Sequence, residues 1–150
     1  MEQHALRSAE LADYPFVEAI YLNSMGTMLK QLGCWDENYR RGAFHRAYRR
    51  SEASIITLAG RDIGWMQISE RDFDINLAQI QILDPYCGKG IGTALIRDLM
   101  ERAGQRGKSV SLSAVRANRA IDLYQRLGFK IINPDATPII DMVYEPQLPN

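Results

Sequence analysis

With 150 residues the chain has the length of one domain, and we expect a single domain over residues 1–150. Eighteen basic residues balance eighteen acidic ones, which argues against a nucleic-acid or membrane partner, and two cysteines with two histidines are too few for a disulfide framework or a structural zinc site. Since no basic-then-apolar leader begins the sequence and no apolar run approaches about 18 residues, we expect a cytoplasmic protein without a membrane segment or metal.

The first half of the chain predicts a strand, two helices and a hairpin, in that order. Residues 5–9 alternate like a short strand, and Asp13 is placed to cap a helix that ends near Gly33. Asp36 is then expected to cap a second helix with one apolar face. The segments SIITLAG and DIGWMQISE predict a hairpin that turns at Gly60–Arg61.

The second half predicts strands that alternate with helices. Residues 75–83 form a strand whose alternation fails at Ile82–Leu83, as happens at a bulge or where pairing ends. A glycine-rich turn follows and leads into a helix that ends at Gly104 or Gly107. A strand at 109–115, a helix from Asn118 to Gly128, and two final strands, FKII and IIDMVY, complete the pattern.

The predicted order is β-α-α-β-β-β-α-β-α-β-β, which defines an α/β protein with a mixed, α+β-type sheet. The strand–helix–strand crossover in the second half implies a pair of parallel strands joined right-handedly.

The glycine turn, CGKGIG at residues 87–92, is the strongest local signal. It is not a P-loop, because Lys89 is followed by Gly90, and its glycines are spaced two and two, unlike the dinucleotide fingerprint. What remains is a set of backbone N–H groups at a helix N-terminus, where the helix dipole favours phosphate. An ordinary tight strand-to-helix turn explains the glycines equally well.

Two motifs together resemble the GCN5-related N-acetyltransferase (GNAT) family. Gly90 and Gly92 match the last two fixed positions of that family's [QR]-x-x-G-x-[GA] motif. Further on, Asn118, Ala120, Leu123, Tyr124, Gly128 and Phe129 resemble the family's second signature, N-x-x-A-x-x-L-Y-x-x-x-G-F, with one residue fewer between the Asn and the Ala. The order of elements is also similar over essentially the whole chain. The resemblance implies a GNAT-like acyl-CoA N-acyltransferase fold.

The resemblance also implies that acetyl-CoA is the acyl donor, with its pyrophosphate over the N–H groups of Gly88 to Thr93. Its pantetheine arm would lie between strands 75–83 and 109–115, which splay apart in the family, so that backbone groups become available at Ile82–Leu83. Asn118 would add an amide near the pantetheine, although a helix-capping role explains it as well. The implied cofactor-binding residues are Ile82, Leu83, Cys87, Gly88, Lys89, Gly90, Ile91, Gly92, Thr93 and Asn118.

Cys87 departs from the family pattern, which usually has Gln or Arg at this position. Because backbone amides are the main phosphate ligands, coenzyme binding is expected to survive the change. A tolerated small residue is the favoured interpretation, and a thiol acidified at the helix N-terminus is the alternative.

For catalysis, the resemblance implies that Tyr124 is the general acid that protonates the leaving CoA thiolate. A tyrosine packed under the sheet is the alternative interpretation of this residue. The oxyanion would be held by a backbone N–H near Leu83.

No general base is assigned. Many relatives use a glutamate in the central strand, but this strand carries Gln79 and Gln81, whose amides cannot accept the proton. A water chain to bulk solvent is equally compatible with the sequence. The nearest carboxylates are Glu70, Asp72, Asp74 and Asp84.

Acceptor recognition is expected from the first two helices and the hairpin 54–70. Four aromatic residues are candidates for pocket walls, although core packing is the safer interpretation of each, and the basic segment 40–50 is interpreted as a solvated helix face. These candidates are Trp35, Tyr39, Phe44 and Trp65.

The predicted function is acetyl transfer from acetyl-CoA to a primary amine of a small molecule or peptide. An acyl-CoA-binding regulatory module without turnover is the alternative. The acceptor, the acyl chain length and the oligomeric state, including a homodimer, are left open.

Overall fold

The computed structural model describes residues 3–135 and 138–147. Within these ranges the chain forms seven strands and four α-helices in the predicted order. The strands are β1 (His4–Ser8), β2 (Ala53–Leu58), β3 (Arg61–Glu70), β4 (Asp74–Ile82), β5 (Ser109–Val115), β6 (Lys130–Ile131) and β7 (Ile139–Tyr144). The helices are α1 (Tyr14–Gln31), α2 (Glu37–Ala47), α3 (Ile91–Gln105) and α4 (Ala120–Leu127), with single 3₁₀ turns at Leu11–Asp13, Arg50–Glu52 and Asp84–Tyr86.

The strands form one mixed sheet in the order β1-β2-β3-β4-β5-β7-β6. β4 and β5 are parallel, whereas β1–β2, β2–β3, β5–β7 and β6–β7 are antiparallel. The mixed sheet and the parallel crossover through α3 are therefore confirmed. The registered pairing of β4 with β5 covers Asp74–Leu77 and Ser109–Leu112.

The chain divides into two compact units. The first contains Met1–Gln67 and Gln79–Lys89, and the second contains Ile68–Ala78 and Gly90–Asn150. The assignment of residues 1–150 to one domain stays a prediction.

Most predicted bounds shift by one or two residues. The hairpin turns at Ala59 and Gly60, both at positive φ, and α4 begins two residues after Asn118. β4 ends at Ile82, so the failed alternation at Ile82–Leu83 marks the end of the strand. α3 runs through Gly104 to Gln105.

In the first unit, an aromatic cluster packs α1 and α2 on the sheet. The Phe44 ring lies 5.0 Å from Tyr21, 5.3 Å from Tyr48 and 5.9 Å from Trp65, centroid to centroid. Phe44 and Trp65 are 3% and 1% exposed. Such burial and ring contact stabilise the packing by aromatic dispersion and desolvation.

Asp36 caps α2 as predicted, because its Oδ1 accepts a hydrogen bond from the Tyr39 N–H at 3.1 Å. Asp13 occupies the predicted N-cap position of α1, but its side chain makes no capping hydrogen bond to that helix. Asp13 ends a 3₁₀ turn, and its carboxylate instead accepts two hydrogen bonds from Arg7, at 2.8 and 2.9 Å, and one from the Glu10 N–H at 2.7 Å.

Gly64 allows β3 to approach the end of β4. A Cβ at this position would lie 2.3 Å from the Gln81 carbonyl oxygen and 3.1 Å from the Ile82 Cα. The register of β2 and β3 also shifts here, since Ile56 pairs with Gly64 and Thr57 with Asp62. The close contact is therefore possible only without a side chain.

In the second unit, α3 packs one apolar stripe on β5. Its buried side chains recur at three- and four-residue spacing, as an amphipathic helix requires. The core of this unit contains Ile91, Leu95, Ile96, Leu99, Ala103, Val110, Leu112, Ile140 and Met142.

Candidate active site

The glycine turn keeps space open in front of the backbone. Gly88 and Gly90 have φ of +75° and +80°, a region that other residues rarely adopt. A Cβ at either position would have no heavy atom within 4 Å. The glycines are thus needed for the backbone conformation, and nothing in the described chain fills the space beside them.

The first turn of α3 presents unused donors. Gly90 is the N-cap and supplies no side chain, and the first helical bond joins the Ala94 N–H to the Gly90 carbonyl at 3.0 Å. In the described residues, no protein acceptor is found for the N–H groups of Ile91, Gly92 and Thr93. Three free amides at the positive end of a 15-residue helix fit a phosphate group.

The end of β4 is partly occupied by the protein itself. The Leu83 N–H donates to the Ile63 carbonyl at 2.8 Å, so it already has a partner. For it to hold an oxyanion this bond would have to break, and otherwise a neighbouring N–H must serve. The Cys87 thiol lies 3.4 Å from the Ile82 carbonyl oxygen and 3.6 Å from that of Leu83.

The Cys87 thiol is not acidified. Desolvation by burial, followed by the nearby Asp84 carboxylate, raises its pKa above the usual value. The alternative of a reactive thiol at the helix N-terminus therefore finds no support, and the simpler interpretation of a tolerated small residue is retained.

Asn118 uses only one end of its amide. Its Oδ1 accepts a hydrogen bond from the Ala120 N–H at 2.8 Å and so satisfies a donor at the start of α4. Within the described ranges, Nδ2 has no protein acceptor. Asn118 thus lies one residue before the N-cap, Arg119, and its local bond to the first residue of α4 leaves Nδ2 as a donor for a ligand.

Tyr124 lies on α4 and is 5% exposed. Its ring packs on Phe129 with a centroid distance of 5.9 Å. Burial raises the pKa of Tyr124 to about 12, so the hydroxyl stays protonated throughout the neutral range. The residue is therefore packed in the second unit and also carries a proton that it can donate.

Two of the carboxylates considered as bases are held by cations. Glu70 accepts hydrogen bonds from Lys108, at 3.0 Å, and from Arg106, and these contacts lower its pKa. Arg71 binds Asp74 with two bonds of 2.7 and 2.8 Å and, together with a bond from Ser111, lowers its pKa as well. A carboxylate stabilised in its charged form is a weaker base.

The two strand glutamines form a hydrogen-bonded chain that sequence reasoning did not find. The Trp65 Nε1–H donates to Gln81 Oε1 at 2.6 Å, and Gln81 Nε2 donates to Gln79 Oε1 at 2.7 Å. The alternation of β4 places Gln79 and Gln81 on one face, which is the signal available in the sequence. Their partner on β3 was not apparent.

The four aromatic candidates for pocket walls separate into two groups. Phe44 and Trp65 are core residues, as the safer interpretation expected. Tyr39 is 59% exposed. A Cβ at Gly26 would lie 3.5 Å from the Trp35 ring, which borders a groove of about 370 Å³ between α1 and α2 that is also lined by Glu18, Lys30 and Arg41.

The basic segment 40–50 is partly neutralised. Arg41 pairs with Glu18 at 3.0 Å and with Glu37 at 3.3 Å, and Arg49 lies 3.9 Å from Glu52. These contacts favour the predicted solvated face. Among the helices of the described residues, none combines the length and apolar character needed to cross a membrane.

Comparisons with known proteins agree with this geometry. The family model described as "Acetyltransferase (GNAT) domain" matches residues 40–131. An L-methionine sulfoximine/L-methionine sulfone acetyltransferase of Pseudomonas paraeruginosa is 30% identical over 141 residues, covering 85% of this chain and 80% of that protein. The protein of the same description from Pseudomonas aeruginosa is 28% identical, with the same coverage. The chain belongs to the GNAT family.

Solved structures share the fold. The PaiA N-acetyltransferase of Thermoplasma acidophilum, in complex with coenzyme A, superposes with a TM-score of 0.74 at 16% identity, covering 95% of this chain and 99% of that one. The ribosomal-protein-S18-alanine N-acetyltransferase of Escherichia coli gives 0.66 at 21% identity, covering 99% and 97%. At these identities the likeness concerns the fold alone.

Proposed function

We propose that this GNAT protein transfers the acetyl group of acetyl-CoA to a primary amine by direct attack of the amine on the thioester. The observation that carries the proposal is the row of unused N–H groups at the start of α3, beside the open space at Gly90. Acetyl-CoA supplies the activated acetyl group, and the chain supplies the binding and proton-donating groups described below.

The pyrophosphate is assigned to the backbone from Gly88 to Thr93. Each free N–H can donate to a phosphate oxygen, and the α3 dipole adds about half a positive charge at this end. Lys89 belongs to the same turn, and no resident side chain has to be displaced from Gly88 or Gly90. The free Nδ2 of Asn118 and the backbone at Ile82–Leu83 are assigned to the amides of pantetheine.

Tyr124 is assigned as the general acid. Its hydroxyl is protonated at neutral pH because burial raises its pKa to about 12. It can therefore donate to the CoA sulfur as negative charge develops there.

The acceptor is proposed to be a small amine with polar substituents. The two relatives from Pseudomonas are described as acting on L-methionine sulfoximine and L-methionine sulfone, which are amino acids with oxygen on sulfur. This favours a small molecule over a peptide as the acceptor of the present chain.

The proposal is tested by incubating the protein with acetyl-CoA and a panel of amines that includes L-methionine sulfone, and by measuring free thiol. We expect thiol release that requires an amine. Coenzyme A binding is measured in parallel by calorimetry for wild type, Gly90→Val and Gly107→Val.

The two valine variants form a matched pair. Gly90 and Gly107 both have positive φ, +80° and +65°, and both face open space, so the backbone strain is similar. Only Gly90 begins α3, and we expect Gly90→Val to lose at least about ten-fold in coenzyme affinity while Gly107→Val binds normally. Equal affinities would remove the pyrophosphate assignment.

An acyl-CoA-binding module without turnover is the second candidate. It is favoured by the amides of Gln79 and Gln81 on the strand where the resemblance to many GNAT proteins implies a glutamate, and by the ion pairs that hold Glu70 and Asp74. Thermal stabilisation by coenzyme A without thiol release on any amine would select this function.

A further inference from the structure

The hydrogen-bonded chain of Trp65, Gln81 and Gln79 lies within the first unit, and its donors and acceptors can be arranged in only one direction. An indole N–H can only donate, so the atom of Gln81 that faces Trp65 at 2.6 Å must be the carbonyl oxygen. The Gln81 amide nitrogen then faces Gln79 at 2.7 Å, and the Gln79 atom that receives this bond must be its oxygen. The usual ambiguity of amide orientation is therefore removed at both glutamines.

This direction leaves an NH₂ group at the end of the chain. Gln79 Nε2 has no protein acceptor among residues 3–135 and 138–147. Both glutamines are half-buried, so a ligand can reach Gln79, whereas Trp65 is only 1% exposed. The end of the chain is a donor with a defined orientation.

Packing holds the other end of the chain in place. The Trp65 ring lies 5.9 Å from Phe44 and 5.8 Å from Tyr48, centroid to centroid. Reversing the glutamines would leave the buried indole N–H without an acceptor, which is unfavourable. The donor at Gln79 is therefore pre-oriented before any ligand binds.

We propose that Gln79 is a specificity-determining residue that donates a hydrogen bond from Nε2 to an oxygen atom of the acceptor substrate. The inference rests on the proposed function. An NH₂ group cannot accept a hydrogen bond from an ammonium, so it does not bind the reacting amine in its charged form. It selects amines that also carry an accepting oxygen, either a carboxylate or an oxygen on sulfur, and Trp65 and Gln81 are positioning residues.

The test uses Gln79→Glu, which keeps the shape and replaces the donor by an oxygen. Three amines separate the candidate oxygens: L-methionine sulfone, L-methionine, which lacks the sulfone, and 3-(methylsulfonyl)propan-1-amine, which lacks the carboxylate. Steady-state kinetics give kcat and KM for each. Gln31→Glu, at an exposed end of α1, controls for the added charge.

We expect Gln79→Glu to lower kcat/KM for L-methionine sulfone at least about ten-fold, mainly through KM. For the amine that lacks the bound oxygen, kcat/KM should change less than about three-fold, and this difference identifies the oxygen that Gln79 binds. Trp65→Phe keeps a ring but removes the N–H. It should therefore reduce the preference for L-methionine sulfone over the amine that lacks the bound oxygen, and its effect on kcat should be smaller than its effect on this preference. Gln31→Glu should behave as wild type.

Equal losses on all three amines in Gln79→Glu would overturn the inference and leave the proposed function intact. Calorimetric titration of L-methionine sulfone into the coenzyme-loaded protein gives a readout independent of turnover. Binding that is absent in wild type, or equally strong in Gln79→Glu, would also overturn it. A lack of thiol release with every amine refutes the proposed function instead. In that case, weaker binding of L-methionine sulfone to a folded Gln79→Glu protein would still support the role of Gln79.

Discussion

Replacing Tyr124 by phenylalanine removes one hydroxyl and keeps the ring that packs on Phe129. If the hydroxyl protonates the leaving thiolate, kcat falls and coenzyme affinity stays within about three-fold. General acids contribute about 10²–10⁴-fold. A phenol of pKa about 12 is roughly 3.5 pKa units less acidic than an ordinary thiol, so proton donation is uphill and we expect the lower end, a loss of about 100-fold.

The assay measures thiol release for kcat and calorimetry for coenzyme binding. Tyr144→Phe is the matched control, because the Tyr144 ring packs on the same Phe129, at 5.7 Å. We expect it to keep wild-type kcat. If Tyr124→Phe and Tyr144→Phe have the same kcat, Tyr124 is a core residue without a role in proton transfer.

The same substitution gives a stability test that does not depend on turnover. Burial raises the folded-state pKa of Tyr124 from 10.0 to about 12, so the stabilisation is complete below pH 10 and is lost as the pH rises toward 12. At pH 11 this loss is roughly 1.4 kcal/mol, since one pKa unit corresponds to about 1.36 kcal/mol. Urea unfolding at pH 8 and pH 11 should show this extra loss in wild type and not in Tyr124→Phe. Parallel pH dependence in the two proteins would refute the burial argument.

Two further predictions concern stability. Gly64→Ala should destabilise the protein by about 1–3 kcal/mol because its Cβ would lie 2.3 Å from the Gln81 carbonyl oxygen. Gly104→Ala lies inside α3, its Cβ would have its nearest atom at 3.8 Å, and it should stabilise the protein by about 0.5–1 kcal/mol. Urea unfolding that gave the same sign for both variants would contradict the close contact at Gly64. Arg7 lowers the pKa of Asp13, so the stabilisation is present above the unfolded-state pKa and lost as the pH falls through the folded-state pKa. Asp13→Asn should lose about 1 kcal/mol at pH 7 and less at pH 3, and an equal loss at both would show that the charge is unimportant.

The sequence predicts elements well where one face is buried along the whole segment. β5 has the predicted bounds, and IIDMVY coincides with β7, because alternation alone defines such strands. Asp13 stands at the predicted N-cap of α1, but the sequence did not reveal the partner of its side chain, because cap spacing is local whereas Arg7 lies on β1 and also bonds Asp62 on β3. Long-range ion pairs leave no periodic signal.

In the candidate site too, local features could be predicted from the sequence, whereas features that depend on distant residues could not. The glycine turn is visible in the sequence, because positive φ requires a residue without a side chain. The orientation of the Gln79 and Gln81 side-chain amides is not visible in the sequence, because it depends on Trp65 of another strand. Asn118 lies between these cases, because its hydrogen bond to the Ala120 N–H is local while the use of its free Nδ2 depends on the ligand.

The amide side chains of Gln79 and Gln81 on β4 also lead to a prediction about the pH dependence of kcat/KM. An amine of pKa about 10.4 needs roughly 4.6 kcal/mol to lose its proton at pH 7, and the lowered pKa values of Glu70 and Asp74 make both carboxylates weak bases. Transfer then depends on the fraction of amine that is already neutral. We expect kcat/KM to rise about ten-fold per pH unit up to the pKa of the amine, and the inflection to move when an amine of lower pKa is used. An inflection at one fixed pH for amines of different pKa would reveal a protein base and refute this reasoning.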